Sequence, residues 1–207
     1  MKPTAPAFKA THASIADPAR TLFAWLSLAF VAVVFGLFPI RAVDTPVGHK
    51  PRVALAGDST VTTTAGWGAA FEELLGSRGE CLLFARGGQS SKSFRDSGNW
   101  AKVIEAKPDY VLIQFGHNDM PGKGPNRETD PATTYRENLG RFVDEARAAG
   151  AVPILVTSMA RRTFDKGKIR GELAPWAEAA RAVAAEKKVP LVDLFARSVA
   201  LLEKLGP

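Results

Sequence analysis

Residues 53–68 read VALAGDSTVTTTAGWG. Four apolar residues end in Gly-Asp-Ser-Thr, and a polar stretch then leads into a helix-like pattern. Such a chain leaves a covered strand and sets a serine, Ser59, on the turn at once. Further runs of strand length follow at Cys81–Ala85, Tyr110–Phe115, Val152–Thr157 and Val189–Asp193. Apolar residues at consecutive positions predict strands covered on both faces.

Amphipathic segments separate these runs. In 132–149, Tyr135, Leu139, Phe142, Val143 and Ala146 form one helical stripe, and Gly150 follows as the expected C-cap. In 172–188, Trp176, Ala180, Val183 and Ala184 repeat the pattern. Strand–helix alternation of this kind predicts an α/β fold with a parallel sheet and helices on both faces. Such sheets bind ligands at the carboxyl ends of their strands. The residues after each run therefore matter most. They are Gly57-Asp58-Ser59-Thr60, Arg86-Gly87-Gly88-Gln89-Ser90 and Gly116-His117-Asn118-Asp119. They supply a hydroxyl, a glycine-rich backbone and a side-chain amide, the parts of an acyl-transfer site.

Other chemistries fit poorly. The stretch Gly87–Ser93 lacks phosphate-loop spacing, no dinucleotide fingerprint follows the first strand, and Val61 stands where a nucleophile elbow needs glycine. His117 has no second His or Cys at metal spacing, so no zinc site is expected. The net charge of +6 is spread along the chain, which argues for solubilising surface and against nucleic acid as partner. Cys81 is the single cysteine, read as a buried structural thiol.

Residues 1–51 differ in character. The run 22–40, LFAWLSLAFVAVVFGLFPI, holds no charge, and as a helix it reaches roughly 28 Å, close to a bilayer's hydrocarbon thickness. Lys2, Lys9 and Arg20 precede it. The expected organisation is an N-terminal cytoplasmic segment 1–21, a signal anchor or signal-peptide h-region 22–40, a linker 41–51 and a catalytic domain 52–207. The domain would then face the periplasm or exterior, membrane-anchored or secreted.

From Arg52 onward the chain resembles the GDSL, or SGNH, hydrolases, and most of all their rhamnogalacturonan acetylesterase branch. The resemblance rests on AGDST, ARGGQSSKSF, QFGHNDM, GAVPILVTSMARRTF and PWAEAARAVAAEKKVPLVDLF, in that order. It implies a three-layer α/β/α sandwich around a five-stranded parallel sheet, flavodoxin-like in class. It also implies Ser59 as nucleophile, with the Ser59 and Gly88 N–H groups and the Asn118 amide as oxyanion donors. The implied activity removes acetyl groups from pectin-like polysaccharide, with no cofactor. The family's base is a histidine in an Asp-x-x-His motif after the last helix. Asp193 has Ala196 three residues on, and residues 204–207 read KLGP, so the domain is expected to be C-terminally incomplete and impaired as it stands. Two rival readings are a non-catalytic glycan-binding remnant and a lipase or esterase on other acyl esters. Gln89, Arg95, Trp100 and Arg162 are candidate sugar contacts, with Trp100 weighed against a core role. The sequence leaves the oligomeric state open.

Overall fold

The molecule is described from a computed structural model, over residues 49–207. The expectations for residues 1–48, the apolar run included, lie outside the described residues. Among the described residues no helix is long and apolar enough to cross a membrane.

Among the described residues seven strands form in chain order: β1 (Arg52–Gly57), β2 (Glu80–Leu83), β3 (Tyr110–Gln114), β4 (Val152–Val156), β5 (Phe164–Asp165), β6 (Lys168–Ile169) and β7 (Leu191–Val192). Five make one parallel sheet in the order β2-β1-β3-β4-β7, and β5 and β6 form a small antiparallel hairpin. The helices are α1 (Gly68–Leu75), α2 (Ser91–Asp96), α3 (Asn99–Glu105), α4 (Thr134–Ala148), α5 (Ala174–Lys187) and α6 (Leu194–Leu205).

The two-sided cover expected from consecutive apolar residues is present. On β1, Ala54 and Ala56 enter one core with Trp100, Phe142, Trp176 and Ala180 from α3, α4 and α5. Val53 and Leu55 enter the other with Phe71, Leu75 and Leu194 from α1 and α6. Strands β3 and β4 alternate in the same way, Ile113 and Leu155 to the first core, Leu112 and Ile154 to the second. The pleat sends successive side chains to opposite faces, so each face needs its own helix layer.

Phe142 sits at the centre of the first core. It stacks on Phe115 at 5.5 Å and meets Trp100 edge-on at 4.6 Å. Trp100 is therefore core, and its Nε1 donates to Glu145 Oε2 at 2.5 Å. The α4 helix ends as its glycine predicts. Gly150 takes φ +84°, and Ala151 N–H donates to Ala146 O at 2.9 Å.

Two strands differ from expectation. β2 lies at the sheet edge, with Glu80 and Leu83 exposed, because no further strand among the described residues covers it. Cys81 is consequently half-buried, and burial, with Glu72 nearby, pushes its thiol up to about 12. β7 is only two residues long, because Val189 is taken into the cap of α5, where its N–H donates to Ala184 O. Asp193 ends that strand as expected. It caps α6 through Ala196 N–H and pairs with Arg181 at 2.8 Å, and these bonds hold its carboxyl below the usual range against the opposing effect of burial.

Candidate active site

The strand order places β1 between β2 and β3. The chain leaves β1 towards one side of the sheet and later returns to the other. In open α/β sheets such a divergence is where ligands are received, here at the carboxyl ends of β1 and β3.

The turn after β1 is built from backbone bonds. Val61 N–H donates to Asp58 O at 3.1 Å, and Thr62 N–H donates to Ser59 O at 3.3 Å. Asp58 is fully buried, and its Oδ1 accepts from Thr60 N–H at 2.9 Å and Thr60 Oγ1 at 2.7 Å. Gln114, at the end of β3, completes the support. Its Nε2 donates to Thr60 Oγ1 at 2.5 Å, and its Oε1 accepts from Trp67 Nε1 at 3.0 Å. The turn thus rests on a buried polar chain, and Ser59 stands on it half-exposed.

The second loop arrives by extending the ladder past β2. Phe84 N–H donates to Leu55 O at 3.0 Å and Arg86 N–H to Gly57 O at 2.9 Å. Gly87 and Gly88 therefore come up beside Ser59. A Cβ added to Gly87 would lie 3.8 Å from Ser59 Cβ. Gly88 takes φ +78°, a left-handed conformation that favours glycine.

The third loop is tied to the second, since Asn118 Nδ2 donates to Gln89 O at 3.0 Å. That bond uses one amide hydrogen and leaves the other free to serve a ligand. Behind both loops lies Asp119, which is buried. It accepts from Ser91 N–H at 3.1 Å, Ser91 Oγ at 2.5 Å and Thr129 Oγ1 at 3.0 Å. Burial pushes its carboxyl up to about 6, against the effect of those bonds.

Residues 54–205 fit the model of the GDSL-like lipase/acylhydrolase family.

The chain belongs to that family.

It is accordingly a carboxylic ester hydrolase by membership. Among similar curated proteins is the rhamnogalacturonan acetylesterase RhgT of Bacillus subtilis, 41% identical over 169 residues, which cover 76% of this chain and 71% of RhgT. The probable rhamnogalacturonan acetylesterase YesY of the same organism is 34% identical over 163 residues, 75% of each chain. Among solved structures, YxiM of B. subtilis superposes with a TM-score of 0.66 at 26% identity, covering 76% of this chain and 47% of YxiM. The acetylxylan esterase Axe2 of Geobacillus stearothermophilus superposes with a TM-score of 0.64 at 19% identity, covering 77% of this chain and 83% of Axe2, a likeness of fold.

Within this GDSL-type domain, the three residues singled out from sequence, Ser59, Gly88 and Asn118, sit on three neighbouring loops of one sheet edge. The other candidates separate. Gln89 joins the site through its carbonyl. Arg95 instead pairs with Glu145 at 2.6 Å on the helix layer, and Arg162 donates to Gly206 O. The serines that faintly suggested a phosphate loop form a capping box, with Ser90 and Ser93 bonded reciprocally at the start of α2.

Of the two described histidines, His49 pairs with Asp109, which precedes β3 and so lies at the opposite edge of the sheet. His117 shares its Nε2 with Met159 O at 2.9 Å. Burial lowers its proton affinity, the Asp58 charge opposes this, and burial in turn raises Asp58. Among the described residues no group of three His, Cys, Asp or Glu side chains is placed to hold a metal ion.

Gln114 and Asp119 were not singled out from sequence. Both carried a signal, a polar side chain ending or following a strand that is apolar on both faces. Gln114→Leu leaves Trp67 Nε1 without its acceptor and Thr60 Oγ1 without its donor. The expected loss is about 2–3 kcal/mol of unfolding free energy, read as a lower urea midpoint at unchanged slope. An unchanged midpoint would show that the chain beneath the turn carries no stability.

Proposed function

We propose that this chain is a serine esterase that removes acetyl groups from cell-wall polysaccharide through an acyl-enzyme on Ser59. The observation that supports it best is the meeting of three loops, a hydroxyl beside two glycines and an amide tied to the same loop. The polysaccharide substrate is supported by the names of the relatives RhgT and YesY. The uncharged run 22–40 supports an exported protein, anchored or released.

In this reading Ser59 Oγ attacks the ester carbonyl and its proton passes to a base. The negative charge that develops on the carbonyl oxygen is met by the N–H groups of Ser59 and Gly88 and by the free hydrogen of the Asn118 amide. The sugar hydroxyl leaves, protonated, and water then attacks the acetyl-enzyme to release acetate. The loops stand ready without rearrangement, because buried bonds to Asp58, Gln114 and Asp119 hold them. His117 is not assigned as the base, since its Nε2 is engaged by Met159 O.

A phosphonate ester tests the reading directly. Incubation with a p-nitrophenyl alkylphosphonate should release p-nitrophenol and leave one adduct, which peptide mass mapping places on Ser59. Turnover of p-nitrophenyl acetate with no adduct, or with an adduct elsewhere, would overturn it.

A further inference from the structure

We propose that Arg127 is a specificity residue that binds a carboxylate carried by the sugar, so that the esterase favours acyl groups on uronic-acid chains over those on neutral chains. This rests on the reading above, in which Gly88 N–H faces the reacting oxygen.

Arg127 belongs to the loop between β3 and α4, and that loop is internally bonded. Arg127 N–H and Glu128 N–H both donate to Gly124 O, at 2.9 and 3.0 Å, and Thr129 N–H donates to Asp119 O at 2.9 Å. Lys92 Nζ secures the outer turn through Pro125 O at 2.7 Å. The guanidinium is held as well, since its Nε donates to Lys123 O at 2.7 Å. Its Nη1 lies 4.0 Å from the place a Cβ on Gly88 would take. A planar fork thus stands beside the glycine loop, already oriented, which lowers the entropy lost on binding.

The charge of Arg127 is unspent. Arg95, Arg136 and Arg181 each meet a carboxylate. Among the described residues Arg127 meets none, and its neighbour Glu128 is turned to Gly124 N–H at 2.6 Å. Arg161 adds a second cation on the same side. Its Nη2 donates to His117 O at 3.3 Å, and its buried Nε has no partner among the described residues. Lys123 and Arg161 both lie close enough to disfavour a proton on His117. Asp58 and Asp119 are buried beneath the loops rather than exposed on the rim, and burial raises both carboxyls. The rim is therefore positive where a glycan would cross it. A guanidinium fork matches the geometry of a carboxylate, and the uronate carboxylate is the anionic group a polysaccharide brings.

Two measurements test this, and the first needs no turnover. The wild-type chain should bind trigalacturonic acid more tightly than xylotriose by calorimetry, and added NaCl should weaken only the former. Arg127→Gln should weaken trigalacturonate about ten-fold, and Arg127→Lys by less, because the charge stays while the fork is lost. In the second measurement, the ratio of kcat/KM for acetylated oligogalacturonate to that for acetylated xylooligosaccharide should fall about ten-fold in Arg127→Gln. Equal binding of the two trisaccharides by the wild type, or an equal fall in both rate constants, would overturn the proposal. Salt-sensitive carboxylate binding that Arg127→Gln weakens, without any ester hydrolysis, would uphold carboxylate recognition by Arg127 and overturn both the preference among esters and the acyl-enzyme reading.

Discussion

Ser59→Ala should abolish acyl-enzyme turnover of p-nitrophenyl acetate with the fold intact, a fall in kcat/KM of about four orders of magnitude where a histidine base serves the serine and a smaller one where none does. The size follows from the role. Without the hydroxyl no acyl-enzyme forms, and only binding and the N–H groups remain to assist direct attack by water. The intact fold follows from the surroundings. Ser59 is half-exposed, its backbone carries the turn, and its hydroxyl makes no hydrogen bond among the described residues. Removing one such oxygen should change stability by no more than about 0.5 kcal/mol. The check is a rate assay beside a urea titration on the same preparation. A variant that still forms a covalent phosphonate adduct at the wild-type rate would remove Ser59 from the chemistry.

Asp119→Ala should damage the fold and the site together. The carboxylate accepts Ser91 N–H, Ser91 Oγ and Thr129 Oγ1 in a buried place. Truncation leaves those donors unpaired, and the expected cost is about 3–5 kcal/mol, read from urea unfolding. The glycine loop runs straight into Ser91, and Asn118 adjoins Asp119, so esterase activity should fall in the same variant even where it remains folded. Asp119→Asn separates charge from shape. Burial lifts the carboxyl to about 6 from an ordinary 3.8, so the folded state holds its proton more tightly than the unfolded state. Between those values the unfolded chain has lost the proton and the folded chain has kept it. Wild-type stability relative to Asp119→Asn should therefore be greatest below pH 3.8 and decline as pH rises through about 6. The linkage amounts to about 3 kcal/mol at most. A difference that stays flat or grows over that interval would show that the carboxylate is ionised in the native protein without penalty.

The reading of strands and helices depended on local pattern, and it held where local pattern decides. The residues 53–56 and 152–156 are apolar at consecutive positions, and only two helix layers can cover both faces of such strands. The stripe on α4 and the glycine after it act within one or two helical turns. The local pattern failed at β2, because an apolar run does not state whether a neighbouring strand lies beyond it. Trp100 was weighed as core against sugar contact, and Glu145, about fifty residues away, holds it and Arg95 in the helix layer.

Chain neighbours alone determined that this protein alternates strand and helix, that Ser59 stands on a turn directly after a covered strand, and that glycines and an amide follow the next strands. Those features come from steric and hydrophobic preferences of residues a few positions apart. Tertiary structure decided which strand lies centrally, and so which turns share a crevice. It also decided that Gln114 supports the turn through Trp67 and Thr60, that Asp119 gathers Ser91 and Thr129, and that Arg127 stands beside Gly88. Most of these partners are tens of residues apart in the chain. Their meeting is set by the packing of the whole sheet and its two helix layers, which no short window of sequence contains.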